Sequence, residues 1–470
     1  MNIKNTLPDL LDEKPRTVPA FDPGFRPMGA AFMKYRKAVE DSGKGVPLRI
    51  GVERENGLVS VFATEVLPSD GGAAAATAYY AERIVKFLLW WRGGWKIRVQ
   101  GPKEIGDLIR KAYAPDGARA FDASLMGRVY EKTFEVVSAG PADFPPSRES
   151  KSALGGNLDG CRVGFDLGAS DFKVAAVKDG EPVFSEEIPW TPGEKPDPEY
   201  HYNNIRDGLK MAAAHLPRVD AIGGSSAGIY IDNQVRIASL FRSVPVDVFD
   251  RKVKNMFNVM KAEWGVPFEV INDGEVTALA GTMSLGAKAM LGVAMGSSQA
   301  GGFLNADGHI PGWLDELAFA PLDASPDAVA DEWSGDQGVG ANYFSQQAVN
   351  KLALRAGVAF PEDMRLPERL KHVQALAEKG DVKARRIFAD IGIYLGYTVP
   401  FYEMFYEYRN LLILGRVMSG VGGDIIMETA GKVLREEFPE TAGRVRLHLL
   451  DEKSRRVGQA VAAASLPRIQ

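Results

Sequence analysis

The chain has 470 residues, of which 45% are hydrophobic and 25% charged, with a formal net charge of −5. This is the balance of an ordinary globular protein with room for two or three domains, and it gives no electrostatic case for a nucleic acid or an anionic membrane as partner. The single cysteine, Cys161, excludes intramolecular disulfides and any zinc site needing two thiolates, so no zinc is expected. The longest aromatic-apolar run, "FLLWW" at 87–91, is too short to span a bilayer, and the N-terminus lacks the apolar core of a signal peptide. A cytoplasmic location is the expectation.

Residues 1–45 are rich in Pro, Gly and charge and read as an arm wrapped over another surface. "LRIGVERENGLVSVFATEV" then gives two strands joined at Asn56-Gly57, a strong hairpin signal. "AAATAYYAERIVKFLLWW" has helical spacing and stops at Gly93-Gly94. A short strand, "WKIRVQ", and a helix, "PKEIGDLIRKAYA", complete a small α+β accessory domain, so that arm and domain together fill residues 1–150. The breaker-dense stretch 141–160 reads as a linker.

After Gly160 come three strands at about 162–166, 172–178 and 182–188, a helix near 202–215 and the strand "VDAIGGSS". A long helix over about 247–264, the strand "FEVIND" and the helix "GEVTALAGTMSLG" follow. "AMLGVAMGSSQAGGFLNADGHI" reads as a hairpin, and 326–410 as mainly helical with a kink at Pro400. The tail reads strand, glycine loop, helix, strand, helix. Two successive α/β blocks predict two lobes around a cleft: 160–285, completed by 445–470, and 286–444. The rhythm of the hairpin near residue 50 is faintly repeated near 165, and two unrelated hairpins are the preferred explanation.

Four stretches carry candidate chemistry. In "DLGAS" a tight turn of small residues lets an anion approach backbone N–H groups; Asp166 can hold Mg2+ through water, and Ser170 and Lys173 can reach phosphate oxygens. The same stretch is also compatible with a plain hairpin. In "VINDGEV" Asp273 stands where a buried strand becomes a helix, placed either to cap that helix or to act as a general base. "MGSSQAGG" repeats the first design, and two such turns can clamp a nucleotide's phosphates from both sides. "LLILGRVMSGVGG" runs a strand into a glycine loop on which a flat purine can lie, or which is simply a helix start with spare glycines.

Their order, phosphate turn, acid, second phosphate turn, purine loop, resembles the actin-like ATPase superfamily, whose two ribonuclease-H-like lobes enclose ATP. Within it, "DLGASDFKVAAV", "GSSAGIYIDNQVRIAS", "PFEVINDGEVTALAG" and "IGIYLGYTVPFYEMFYEYRNLLILGRVMSG" are similar to the ROK family of repressors and sugar kinases over about residues 160–468. The resemblance implies roles. Asp273 would be the general base, with Asn272, Ser226 and Glu316 of "GWLDELAFAPLD" binding the acceptor. Asp166, Gly168, Ala169, Ser170 and Lys173 would face Mg2+ and phosphate; Gly296, Ser297 and Ser298 would close over the phosphates; Gly415, Ser419 and Gly420 would lie near adenosine. Without the resemblance, Glu316 reads as a solvated loop acid.

The departures from the family are specific. Phe319 stands in place of a histidine and Ala318 in place of a glycine. "GDQGVGANYFS", 335–345, lacks the cysteines of the family's zinc loop and has Ala341 where a second sugar-binding Glu belongs. Ser298, Gln299 and Ala300 replace the favoured Thr-Gly-x of the second turn. Residues 1–150 do not fit the winged helix of ROK repressors. The expectation is an ATP- and Mg2+-dependent kinase for a hydroxyl of a sugar-like metabolite. The alternative is a catalytically silent relative that senses a metabolite, with residues 1–150 forming a homodimer contact or covering the cleft.

Overall fold

A computed structural model describes residues 7–69, 71–150, 154–449 and 452–469. Among the described residues three sheets of four or five strands follow one another, with a two-stranded hairpin set between strands of the second. In the first, β1 (Val46–Glu53) and β2 (Val59–Val66) form the expected hairpin, and Asn56 and Gly57 take up the left-handed backbone it needs, with φ of 56° and 68°. β3 (Lys96–Gln100) adds antiparallel to β1 and β4 (Glu135–Ser138) parallel to β3, giving the order β2-β1-β3-β4.

The second sheet starts with the antiparallel meander β5 (Cys161–Leu167), β6 (Asp171–Lys178) and β7 (Glu181–Pro189). β8 (Ala221–Ser226) pairs parallel with β5. After the small hairpin β9 (Ile229–Ile231) and β10 (Gln234–Ile237), β11 (Phe268–Asn272) pairs parallel with β8. The order is β11-β8-β5-β6-β7. Central β5 is buried at every position, the charged Arg162 and Asp166 included. β1 meets its third strand antiparallel whereas β5 meets β8 parallel, so the two similar hairpins belong to different topologies.

The third sheet takes β12 (Met290–Met295), β13 (Gln299–Leu304), β14 (Asn410–Leu414) and β15 (Arg446–Leu449) in the order β13-β12-β14-β15. Two helices stitch the second and third sheets together. The helix Asp273–Leu285 leaves β11 and packs on β12 and β13, and the C-terminal helix Glu452–Ala464 returns from β15 to cover β5 and β8. Glycine makes the return possible. A Cβ on Gly164 would stand 1.8 Å from the Ala460 carbonyl oxygen, and one on Gly223 1.7 Å from that of Ala463. Any side chain there would lift the helix off the sheet.

The arm reading acquires its surface. Backbone N–H groups of Ala20 and Phe21 donate to Asp390 at 2.9 and 2.7 Å, that of Arg26 donates to Asp323 at 2.8 Å, and that of Arg16 donates to the Tyr397 hydroxyl at 2.7 Å. All these acceptors belong to the block that carries the third sheet. A helix the sequence reading did not expect, Met28–Ser42, follows the arm. The helix Ala74–Arg92 explains "FLLWW". Phe87 stacks on Phe405 at 4.0 Å, Trp90 meets Phe319 at 4.3 Å and Trp91 meets Tyr406 at 4.6 Å. The first and third sheets thus share one hydrophobic core, while the second sheet has its own. Burial of each such large side chain contributes about 2 kcal/mol or more, so the N-terminal segment is bound into the molecule rather than tethered to it.

Two expectations need correction. The helix expected over 247–264 is broken into Val246–Val248, a wide-turned stretch Phe249–Val253 and Met256–Trp264, with Asn255 out of helical geometry at φ −101°. Residues 326–345 are largely irregular; regular helices occupy Gln346–Arg355, Leu366–Glu378 and Val382–Glu403 instead. The last of these carries Pro400 in its final turn, where little helix remains to be disrupted. Among the described residues no helix is long and apolar enough to cross a membrane.

Candidate active site

Parallel pairing of β5, β8 and β11 brings their carboxyl ends into line: Asp166 lies opposite Ser225, and Leu167 and Asn272 flank Ser226. Open α/β sheets bind ligands at this edge. Asp166 is 6% exposed, accepts a hydrogen bond from Ser225 Oγ at 2.7 Å and faces Lys173 Nζ at 3.7 Å. Burial raises its pKa, with the Ser225 hydroxyl and the Lys173 charge opposing.

The next helix is capped by Asn272, whose Oδ1 accepts the Gly274 N–H at 2.7 Å while its Nδ2 donates to the Gly228 carbonyl at 2.7 Å. Asp273, the first helical residue, is therefore not consumed by capping. It is half-buried, and burial and then the charge of Asp166 push its carboxyl up to about 6 against the backbone N–H groups at the helix start. Ser226 is fully buried and bonds the Tyr230 hydroxyl at 2.6 Å.

Across from Asp273 lies the acid segment. A Cβ on Gly274 would stand 2.1 Å from the Gly301 carbonyl oxygen, and one on Gly301 2.5 Å from that of Asp315, so the helix start, β13 and the acid segment are stacked in contact. The N–H groups of Asp315 and Glu316 donate to the carbonyls of Trp91 and Trp90 at 2.9 and 3.0 Å. Those carbonyls end the helix Ala74–Arg92 and have no partner within it. The N-terminal segment thus fixes the backbone of Glu316. Burial and the charges of Asp273 and Asp315 push the Glu316 carboxyl up to about 7. The charge of Asp166 raises the pKa of Asp273, and that of Asp273 raises the pKa of Glu316, an arrangement suited to proton transfer near neutrality.

Both turns end in exposed small residues. Gly168 N–H donates to the Asp171 carbonyl at 3.0 Å and its own carbonyl accepts Trp190 Nε1 at 2.8 Å, leaving Ala169 and Ser170 exposed at the tip. Between β12 and β13, Gly296 N–H donates to the Ser298 carbonyl at 2.9 Å, and Ser297 and Ser298 are exposed. Gly415, at φ 106°, lies so close to the end of β12 that a Cβ would stand 2.4 Å from the Met295 carbonyl oxygen. That contact sets the glycine loop beside the second turn. Ser419 and Gly420 are exposed beyond it, and Glu378 accepts the Val421 N–H at 2.7 Å. Exposed small residues suit phosphate, and one buried carboxylate beside Lys173 suits Mg2+ held through water, which normally takes only one or two protein carboxylates next to phosphates. Among the described residues no group of three or more His, Cys, Asp or Glu is suited to hold a metal by itself.

The departures have structural causes. Phe319 packs between Trp90 and Phe121, at 4.3 and 5.6 Å, so the N-terminal segment occupies the space behind it. Gln299 is 2% exposed and donates to the Tyr402 hydroxyl at 3.0 Å inside the core. At the place of the zinc loop, Asp336 pairs with Arg83 at 3.0 Å, Lys86 at 3.1 Å and Arg119 at 2.6 Å.

The sequence reading missed Glu275 and Arg54, which, together with Asn272, line a cavity of about 330 Å3; Arg54 comes from the turn after β1. Asn272-x-x-Glu275 has the spacing of a helix-capping pair, a signal that was available. Nothing near Arg54 in the sequence points to it, because its place depends on how separate sheets dock.

No family model and no curated protein matches the chain. Solved structures do. A ROK hexokinase from Thermus thermophilus is 18% identical, with a TM-score of 0.50, and the match covers 64% of this chain and 97% of that one. A ROK family transcriptional regulator, a homologue of the E. coli MLC protein, is 19% identical with a TM-score of 0.52, covering 66% of this chain and 79% of that one. At these identities the likeness is one of fold, and it is the fold that the motif order implied.

Proposed function

We propose that the chain is an ATP- and Mg2+-dependent kinase that phosphorylates a hydroxyl of a sugar-like metabolite. The observation that carries the proposal is Asp273: a half-buried carboxyl at a strand-to-helix junction, free of capping duty, with its pKa at about 6 and Asp166 and Glu316 beside it. The reading is supported by the fold shared with a protein described as a hexokinase. In this scheme Glu316 and Asn272 orient the acceptor, and Asp273 takes the proton from its attacking hydroxyl as the oxygen bonds to the γ-phosphorus and the bond to ADP breaks. Bound Mg2+–ATP supplies the phosphoryl group and neutralises its charge, and Asp166, Lys173 and the turns at 168–170 and 296–298 hold it. Positioning does most of the work, and a base contributes about 10²–10⁴-fold.

The test is ATP consumption against a panel of sugars, amino sugars and polyols. Asp273→Asn is expected to lower turnover by about 10²-fold or more while leaving ATP binding in place. Wild-type turnover in that variant would remove Asp273 from the mechanism. A second reading, a ligand sensor without phosphoryl transfer, is favoured by Asn272, whose amide is already engaged by Gly228 and the helix cap, and by the fold shared with a regulator. A sensor would bind ligand in calorimetry and turn over no ATP with any acceptor.

A further inference from the structure

The small hairpin β9–β10 belongs to two cores at once. Ile229, Ile231 and Ile237 pack into the core that the first and third sheets share, and Tyr230 and Val235 into the core of the second sheet. Alternation along the strand separates Tyr230 from its two neighbours, and a slip in the pairing between Val235 and Ile237 sends those two to different cores. The helix Ala120–Tyr130 of the N-terminal segment packs against β10. We propose that Glu131, at the end of that helix, is a positioning residue: it fastens the N-terminal segment to this hairpin, and the hairpin holds Ser226 and Asn272 in place. That those two meet the acceptor rests on the functional reading above; the fastening does not.

Glu131 ends its helix at φ 53° and ψ 39°, the left-handed backbone that glycine or asparagine adopts more easily than a glutamate. Local preference therefore disfavours the residue, and its value lies in what the side chain reaches. Its carboxylate pairs with Arg236 of β10 through one oxygen and with Lys254 through the other. The Arg236 side chain is 8% exposed, and neither cation has another ion pair among the described residues. An exposed ion pair contributes little, but a cation this buried is costly to leave alone. Lys254 stands at the break between Phe249–Val253 and Met256–Trp264. Its carbonyl accepts the Val235 N–H at 3.0 Å, and Gln234 Nε2 donates to Asn255 Oδ1 at 2.8 Å. One carboxylate thus grips both β10 and the broken helix beside it.

The hairpin passes this grip to the strand ends. The Gly228 carbonyl, just before β9, accepts Asn272 Nδ2 at 2.7 Å, and the Tyr230 hydroxyl bonds Ser226 Oγ at 2.6 Å. Asn233, in the turn, donates to the Phe268 carbonyl at 2.8 Å and accepts the Val270 N–H at 2.7 Å. Ser226 and Asn272 lie opposite each other across β8 and β11. Both side chains therefore take a fixed partner from the segment that Glu131 anchors.

Amide hydrogen exchange of the full chain without ligand reads this hold. Glu131→Gln removes the charge and keeps the length. It should speed exchange about fivefold or more in peptides covering 229–237 and 268–274, and leave those covering β12, β13 and the helix Ala74–Arg92 unchanged. The charge swap Glu131→Arg with Arg236→Glu should restore protection. Lys254→Gln breaks the same contact from the other side and decides the matter should Glu131→Gln fail to fold. Unchanged exchange at 268–274, equal acceleration throughout the chain, or a folded swap that restores nothing overturns the proposal. With any acceptor that the panel above yields, Glu131→Gln should raise the acceptor KM about tenfold and leave the KM for ATP as it is; the reverse pattern also overturns it. The expected exchange pattern in a chain that turns over no ATP would support the fastening and retire only the kinase reading.

Discussion

Replacing Asp315 by Asn isolates the cost of a buried carboxylate. Asp315 is 1% exposed; one oxygen accepts the Tyr406 hydroxyl at 2.6 Å, and the other has no hydrogen-bond partner among the described residues. Burial pushes its pKa from 3.8 up to about 7, against the Tyr406 hydroxyl and the charges of Arg92 and Arg54. A carboxyl raised on folding binds more protons in the folded state between its two pKa values, so its contribution to stability declines as pH rises through that window. A rise of about 3 units corresponds to about 4 kcal/mol once both states are ionised. At pH 5 about 1.6 kcal/mol of that penalty is present and at pH 8 nearly all of it, so about 2.5 kcal/mol develops between them. Asn keeps the oxygen that Tyr406 needs and cannot ionise, and any fixed cost of the amide cancels between the two pH values. The stability of Asp315→Asn relative to the parent should therefore climb by about 2.5 kcal/mol from pH 5 to pH 8, read as the shift in urea midpoint at each pH. An equal difference at both pH values would refute the reasoning.

The raised pKa of Asp273 acts in the opposite sense on activity, since a base must be ionised. Turnover should fall about tenfold per pH unit below an inflection near 6, and Asp166→Asn, by removing the neighbouring negative charge, should move that inflection to lower pH; a flat profile from pH 5 to 8 would contradict it. Asp336→Ala removes one of two carboxylate partners from Arg83 and from Lys86, whose side chains are 4% and 0% exposed and which keep Glu82 and Asp122, and should cost about 1–3 kcal/mol in chemical denaturation; a loss well below about 1 kcal/mol would mean that the Asp336 contacts are dispensable. Gly223→Ala places a methyl 1.7 Å from the Ala463 carbonyl oxygen and should lower the thermal midpoint and speed proteolysis within the C-terminal helix; a midpoint equal to the parent's would show that the helix has room to move.

Period and punctuation in the chain determined a good deal. The Asn56-Gly57 hairpin, the strand–turn–strand around 162–178 and the strand–glycine loop–helix at 411–437 were legible because each depends on neighbours within a few residues. They were enough to single out Asp166 and Asp273 and to carry the family resemblance that implied the fold; Glu316 entered only through that resemblance. The N-cap was not settled locally: Asn272 and Asp273 are both good caps, and the Gly228 carbonyl, which holds the Asn272 side chain, belongs to a loop 44 residues earlier. The break at 249–255 and the irregular stretch 326–345 also escaped the sequence reading. In the second of these, Asp336 is buried against Arg83, Lys86 and Arg119 rather than ordered by any periodicity of its own. The largest contribution of tertiary structure is the N-terminal segment. Spacing marked "FLLWW" as the end of a helix, but only docking made Trp90 and Trp91 the acceptors for Glu316 and Asp315 and set Arg54 in the wall of a cavity shared with Asn272. Local sequence encodes backbone preference within a turn or two, whereas which carbonyl or guanidinium meets which acid is set by burial of apolar faces far apart in the chain.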